Sequence, residues 1–114
     1  MIAGKVWGKT KEIFKNANLE FHSIHFKAGY QCSEHRHQSK SNGFYVVTGK
    51  MKVKVWQNEY EHCDETILEP GDFTIVKPGL YHQFVGLEDG IAFELYWADL
   101  LHDDIERLTT GGEI

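Results

Sequence analysis

From Phe44 to Trp56 the chain reads Phe-Tyr-Val-Val-Thr-Gly-Lys-Met-Lys-Val-Lys-Val-Trp: an apolar run, one glycine, then alternating charge and hydrocarbon. A period of two is the period of a strand, so Lys52 and Lys54 face one side while Val53 and Val55 face the other. One face is wet and one is packed. The passage is expected to form a hairpin, 44–48 and 51–57, turning at Gly49. Further short runs rich in β-branched and aromatic residues lie at 19–27, 66–69, 73–76, 82–85 and 91–98, separated by turn signals at Gly29, Asn58, Gly71, Gly79 and Asp89-Gly90. These make seven strands. Short antiparallel strands must close on themselves or stack to hide their edges, so an all-β barrel or jelly roll is expected and a parallel sheet is not.

The 114 residues are 41% apolar and 25% charged, which suits one globular domain. Twelve Lys and Arg against seventeen Asp and Glu leave a net charge of −5, which speaks against nucleic acid or a membrane surface as partner. No apolar run has membrane-spanning length and no signal-peptide pattern opens the chain, so a cytoplasmic protein is expected, with Cys32 and Cys63 reduced. The basic segment 5–15, with Val6, Trp7, Ile13 and Phe14 interspersed, reads either as an edge strand or as an arm against a partner subunit. Near the end, Leu100, Leu101, Ile105 and Leu108 fall at near-helical spacing behind Asp99, so a short C-terminal helix is expected.

Seven histidines are many for such a chain. His35 and His37 are two apart, so on an extended segment both imidazoles leave one face with Cα atoms roughly 6–7 Å apart, a workable bite for a metal ion. His82 follows the Pro78-Gly79 turn into a strand that can lie opposite the pair. Three neutral imidazoles suit zinc, iron, nickel or manganese, and suit calcium or magnesium poorly. The competing reading is a metal-free cavity in which the histidines bond one another or water. His22 and His25 lie on opposite faces of their strand and read as surface or core groups. His62 and His102 read as solvated.

These residues resemble the cupin family. Gly29, His35, His37, position 42 and Gly49 fall in the register of its first motif, and Gly71, Gly79 and His82 in that of its second. The resemblance covers about 19–98 and implies a cupin-type β-barrel (double-stranded β-helix, or jelly roll) over that span, between an N-terminal arm (1–18) and a C-terminal helix and tail (99–114). It further implies one divalent transition metal ion on His35, His37 and His82, and a homodimer. Three positions depart from the pattern. Asn42 stands where the family carries a glutamate ligand, Lys77 where it carries proline, and Gly86 where it carries asparagine. An amide oxygen holds a divalent ion more weakly than a carboxylate, so Asn42 enters as a weak ligand. The segment Leu100-Leu101-His102-Asp103-Asp104-Ile105-Glu106-Arg107 also resembles the ending of the cupin domain in phosphomannose isomerase-like proteins, which implies phosphorylated or sugar-like ligands with Lys27, Lys40 or Lys77 as contacts.

The function expected is a metal-dependent enzyme of isomerase or lyase type on a small polar, sugar-like or carboxylate-bearing molecule. A non-catalytic binding module and an iron-dependent dioxygenase are the alternatives. Glu94 and Tyr96 alternate with apolar Phe93, Leu95 and Trp97, so one of them reaches the cavity as acid, base or ligand, unless both lie on an exposed strand face. Tyr45 and Phe84 are candidates for shaping the substrate pocket. Cys32 and Glu34 alternate out of phase with His35 and His37 and are expected to point away from the site.

Overall fold

A computed structural model describes residues 2–57, 62–98 and 106–114. Its strands are β1 (Ile2–Lys5), β2 (Gly8–Lys15), β3 (Leu19–Phe26), β4 (Ser41–Gln57), β5 (His62–Leu68), β6 (Phe73–Val76) and β7 (Tyr81–Trp97). All pairings are antiparallel, in the order β1-β2-β3-β7-β4-β5, with β6 also on β4. The architecture is an all-β jelly-roll barrel, and no helix occurs among the described residues. The helix expected after Asp99 falls on 99–105, outside the described residues, and 106–108 are not helical.

The expected hairpin at Gly49 is instead a bend within one strand. β4 and β7 each run for 17 residues and pair along their whole length, with the register slipping between Val46 and Met51. Their amino-terminal and carboxy-terminal halves therefore lie in different layers. One layer holds β1, β2, β3, the end of β7, the start of β4, and β6; the other holds the start of β7, the end of β4, and β5. The crossing is made by two glycines packed against each other. Gly49 has φ +81°, and a Cβ on Gly90 would sit 2.0 Å from the Thr48 carbonyl oxygen, so neither tolerates a side chain. Glycine here makes a bulge, which bends a strand without ending it.

The segment expected to be either an edge strand or an arm forms β1 and β2, a hairpin added beside β3. Between the layers lie Ile24, Phe26, Cys32, Phe44, Val46, Met51, Val53, Leu68, Val76, Phe84 and Ala92. Each large apolar side chain of this set contributes roughly 1.5–3 kcal/mol by leaving water. The inward positions of β3, β4 and β7 switch from apolar to polar toward one end, at Glu20, His22, Asn42, Glu94 and Tyr96, and there the barrel opens.

Candidate metal centre

The open end is a cavity of about 740 Å³, lined among others by Trp7, Glu20, His22, Cys32, His35, His37, Lys40, Phe84, Glu94 and Tyr96. His35 and His82 face each other as a bridged pair, each amide donating to the other's carbonyl at 3.0 and 2.8 Å. His37 follows on an irregular segment that the Gly79 amide pins by donating to the His37 carbonyl at 2.7 Å. The three rings meet with centroids 4.5 Å (His35–His82), 5.1 Å (His35–His37) and 5.4 Å (His37–His82) apart. Their ligating nitrogens lie within 4.8 Å of one another.

Three observations bear on whether this set suits a cation. His35 Nδ1 lies 2.7 Å from the Ser33 carbonyl and His82 Nδ1 lies 2.9 Å from that of Leu80, so each Nδ1 carries the proton and each Nε2 keeps its lone pair. His37 Nε2 is buried without a hydrogen-bond partner. Finally, His82 Nε2 is 3.0 Å from Asn42 Oδ1, while Asn42 Nδ2 donates to the Leu95 carbonyl at 3.0 Å and faces Glu94 at 3.5 Å. The donor side of Asn42 is thus spoken for, and its oxygen meets a second acceptor. A cation satisfies both, and burial argues against doing so by protonating His82, since it pushes that imidazole's pKa down. Burial, with His35 and His82 beside it, likewise holds His37 down to about 4. Neutral imidazoles with free lone pairs, plus one amide oxygen, fit a divalent transition metal.

A polar wall stands beside the imidazoles. Glu94 is buried, and burial raises its pKa against hydrogen bonds from Tyr96 and Asn42. Burial and the neighbouring Glu94 push the Tyr96 phenol up as well. Lys40 donates to Glu20 at 3.0 Å and lies 4.4 Å from the Tyr96 ring centroid. Of the three lysines considered as contacts, Lys40 lines the cavity; Lys27 and Lys77 do not.

Other candidates are placed differently from expectation. Tyr45 lies on the outer face, stacked on Phe93 at 6.2 Å, because Phe44 takes the inward position of β4. Phe84 lines the cavity under Trp7, edge to face at 4.8 Å. Cys32 points inward, not away, since 31–35 is held by isolated bridges at its two ends and alternation slips between them. Its thiol accepts from the Phe84 amide at 3.2 Å and burial pushes it up to about 12, so it is inert. His22 was missed as a cavity residue. Its register partner on β7 is Glu94, a pairing that parity within β3 alone does not reveal.

The Cupin domain family matches residues 22–99. No curated protein matches the sequence significantly. Among solved structures, an RmlC-like cupin from Shewanella frigidimarina is 26% identical with a TM-score of 0.71, over 87% of this chain and 84% of that one. KdgF from a Halomonas species is 23% identical with a TM-score of 0.71, over 84% of both chains. The capsular polysaccharide assembling protein CapF from Staphylococcus aureus is 19% identical with a TM-score of 0.73, over 85% of this chain but 29% of its own. The likeness to KdgF and CapF is one of fold. With the family matched over most of its length, and both histidine motifs at the mouth of a jelly-roll barrel, the chain belongs to the cupin family.

Proposed function

We propose that this cupin is a metal-dependent enzyme of isomerase or lyase type acting on a small polar molecule, sugar-like or carboxylate-bearing. The observation that carries the reading is the partnerless, buried His37 Nε2 beside His35 and His82, in a cavity that also holds a buried carboxyl, Glu94. His35, His37 and His82 would hold the ion, with Asn42 Oδ1 as a fourth, weaker ligand. A divalent ion there supplies Lewis acidity toward a hydroxyl or carbonyl oxygen. Burial favours the neutral form of Glu94, which is positioned to give or take a proton. Its charged form is held by Asn42 Nδ2 and the Tyr96 hydroxyl, which stays protonated and so remains a donor. Lys40 supplies a cation for a substrate carboxylate or phosphate, and Trp7 with Phe84 supplies an apolar wall for its carbon skeleton.

The test has two parts. Elemental analysis should find near-stoichiometric transition metal in the wild type and none in His37→Ala. The metal-loaded protein is then incubated with a panel of aldoses, ketoses, uronic acids and sugar phosphates in D₂O and followed by proton NMR. Exchange or a new isomer or alkene is expected with the wild type and not with Glu94→Gln. A metal-loaded protein that binds members of the panel but turns over none would replace the enzyme by a binding module.

A further inference from the structure

The three-histidine centre leaves one imidazole of the barrel mouth unused. Residues opposite one another in an antiparallel pair point to the same side of the sheet, so the register builds two inward rows. One runs Glu12, His22, Glu94 from β2 through β3 to β7, and the next runs Glu20, Tyr96, Asn42 from β3 through β7 to β4. The Asn42 end belongs to the centre described above. At the other end Glu12, Glu20 and His22 converge, with a ring nitrogen and one oxygen of each carboxylate within 4.8 Å of one another. His22 Nε2 stands 3.5 Å from Glu20 Oε1, close to the ~3.3 Å that separates ligand atoms bonded at about 2.0–2.1 Å to a tetrahedral ion. A bulge follows Glu12 directly, so that Glu12 faces inward while Phe14, two residues on, faces out opposite Phe21.

The imidazole supplies an independent observation. His22 Nδ1 is buried and has no hydrogen-bond partner. A proton does not remedy this, since an imidazolium carries a donor at each nitrogen and the one at Nδ1 would still lack an acceptor. A buried polar atom left so in a cavity wall is completed by a solute, water or ion. Charge favours the ion. Lys40 takes Glu20 Oε2 at 3.0 Å and holds that carboxyl below the usual range, so Oε1 remains an anionic ligand beside His22. We infer that Glu12, Glu20 and His22 bind a second divalent ion, zinc or manganese, on the β2–β3 side of the cavity. Carboxylates with an imidazole suit these ions. The two centres are separate. Two strand spacings, about 10 Å, lie between β3 and β4, beyond the ~3.5–4 Å between ions that share a bridging atom. Tyr96 touches both, its ring centroid 4.9 Å from that of His37 and 6.0 Å from that of His22. Lys40, and Lys15 as the register partner of Glu20, offset the two carboxylates, and Glu12 is exposed. This ion is therefore held more weakly than that of the three-histidine centre and is expected to leave during purification.

Zinc chloride titrated calorimetrically into the chelator-stripped full chain tests this, in a Cys63→Ser background so that the exposed thiol does not compete for the metal. Two binding events are expected. Glu12→Gln, at an exposed position where the fold is not at risk, should weaken the lower-affinity event at least ~10-fold and leave the other unchanged, whereas His37→Ala should do the reverse. Outer-shell partners alone are worth roughly 10–100-fold in metal affinity, and a ligand is worth no less. In His37→Ala, long-range proton–nitrogen NMR should show a ring nitrogen of His22 shifting as zinc is added. A lower-affinity event indifferent to Glu12→Gln, a His22 ring that zinc does not move, or a single event that His37→Ala abolishes overturns the inference.

Discussion

Asn42→Asp separates the amide's two roles, because it keeps the oxygen that faces His82 and replaces the nitrogen that donates to Leu95. In the metal-free protein the Leu95 carbonyl, at 3.0 Å, then meets an acceptor, and a second carboxyl lies beside buried Glu94. Leaving a buried group without its donor costs about 1–3 kcal/mol, and setting two carboxyls together without a counter-charge adds a similar amount. We expect a loss of about 3 kcal/mol, which for a chain of this size lowers Tm by about 12 °C. With metal present the sign reverses. A carboxylate neutralises part of the ion's charge where three imidazoles do not, so the affinity for zinc or manganese should rise at least ~10-fold, about 1.4 kcal/mol. Thermal shift in EDTA and in a metal series, with calorimetric titration of the metal, reads both arms. Asn42→Ala is the control, expected to be less stable without gaining affinity. If Asn42→Asp melts with the wild type in EDTA and binds metal no more tightly, Asn42 neither anchors the wall nor faces the ion, and the reasoning fails.

Gly90→Ala drives a Cβ to 2.0 Å from the Thr48 carbonyl oxygen and should destabilise by about 3 kcal/mol in a denaturant titration; a cost below about 1 kcal/mol would mean that the β4–β7 crossing relaxes freely. Metal-free protein should lose stability as pH falls from 6.5 toward 4. Over that range the unfolded chain takes up a proton that folded His37, held down to about 4, refuses; His37→Ala should flatten this slope, and an unchanged slope would place its origin elsewhere. At pH 8 a maleimide should modify exposed Cys63 and spare buried Cys32 until urea is added, so two thiols modified without denaturant would contradict the packing of Cys32 beneath Phe84.

The cupin barrel was legible because its signals are local and periodic. Val53 and Val55 alternate with lysines, so an all-β barrel follows from spacing, while the intervals of the glycines with His35, His37 and His82 carry the resemblance that implies the cupin type. The bend at Gly49 was not legible as a bend. A glycine with positive φ between two strand runs reads the same in a hairpin and in a bulge. The difference lies in Gly90, 41 residues away, whose backbone approaches too closely for either to carry a side chain. Cys32 fails for a related reason, since alternation predicts a face only while a strand stays regular, and 31–35 is joined to β7 at isolated points.

The sequence by itself picked out the candidate residues and the alternation around them: three imidazoles, an amide where the family has an acid, and the pair Glu94 and Tyr96. Tertiary structure alone decided what those groups meet. It set Asn42 between His82 and Glu94, brought His22 opposite Glu94 and turned Tyr45 outward. The physical reason is that periodicity assigns a residue to a side of its own strand, whereas register and strand order, set by contacts far apart in the chain, assign its neighbours.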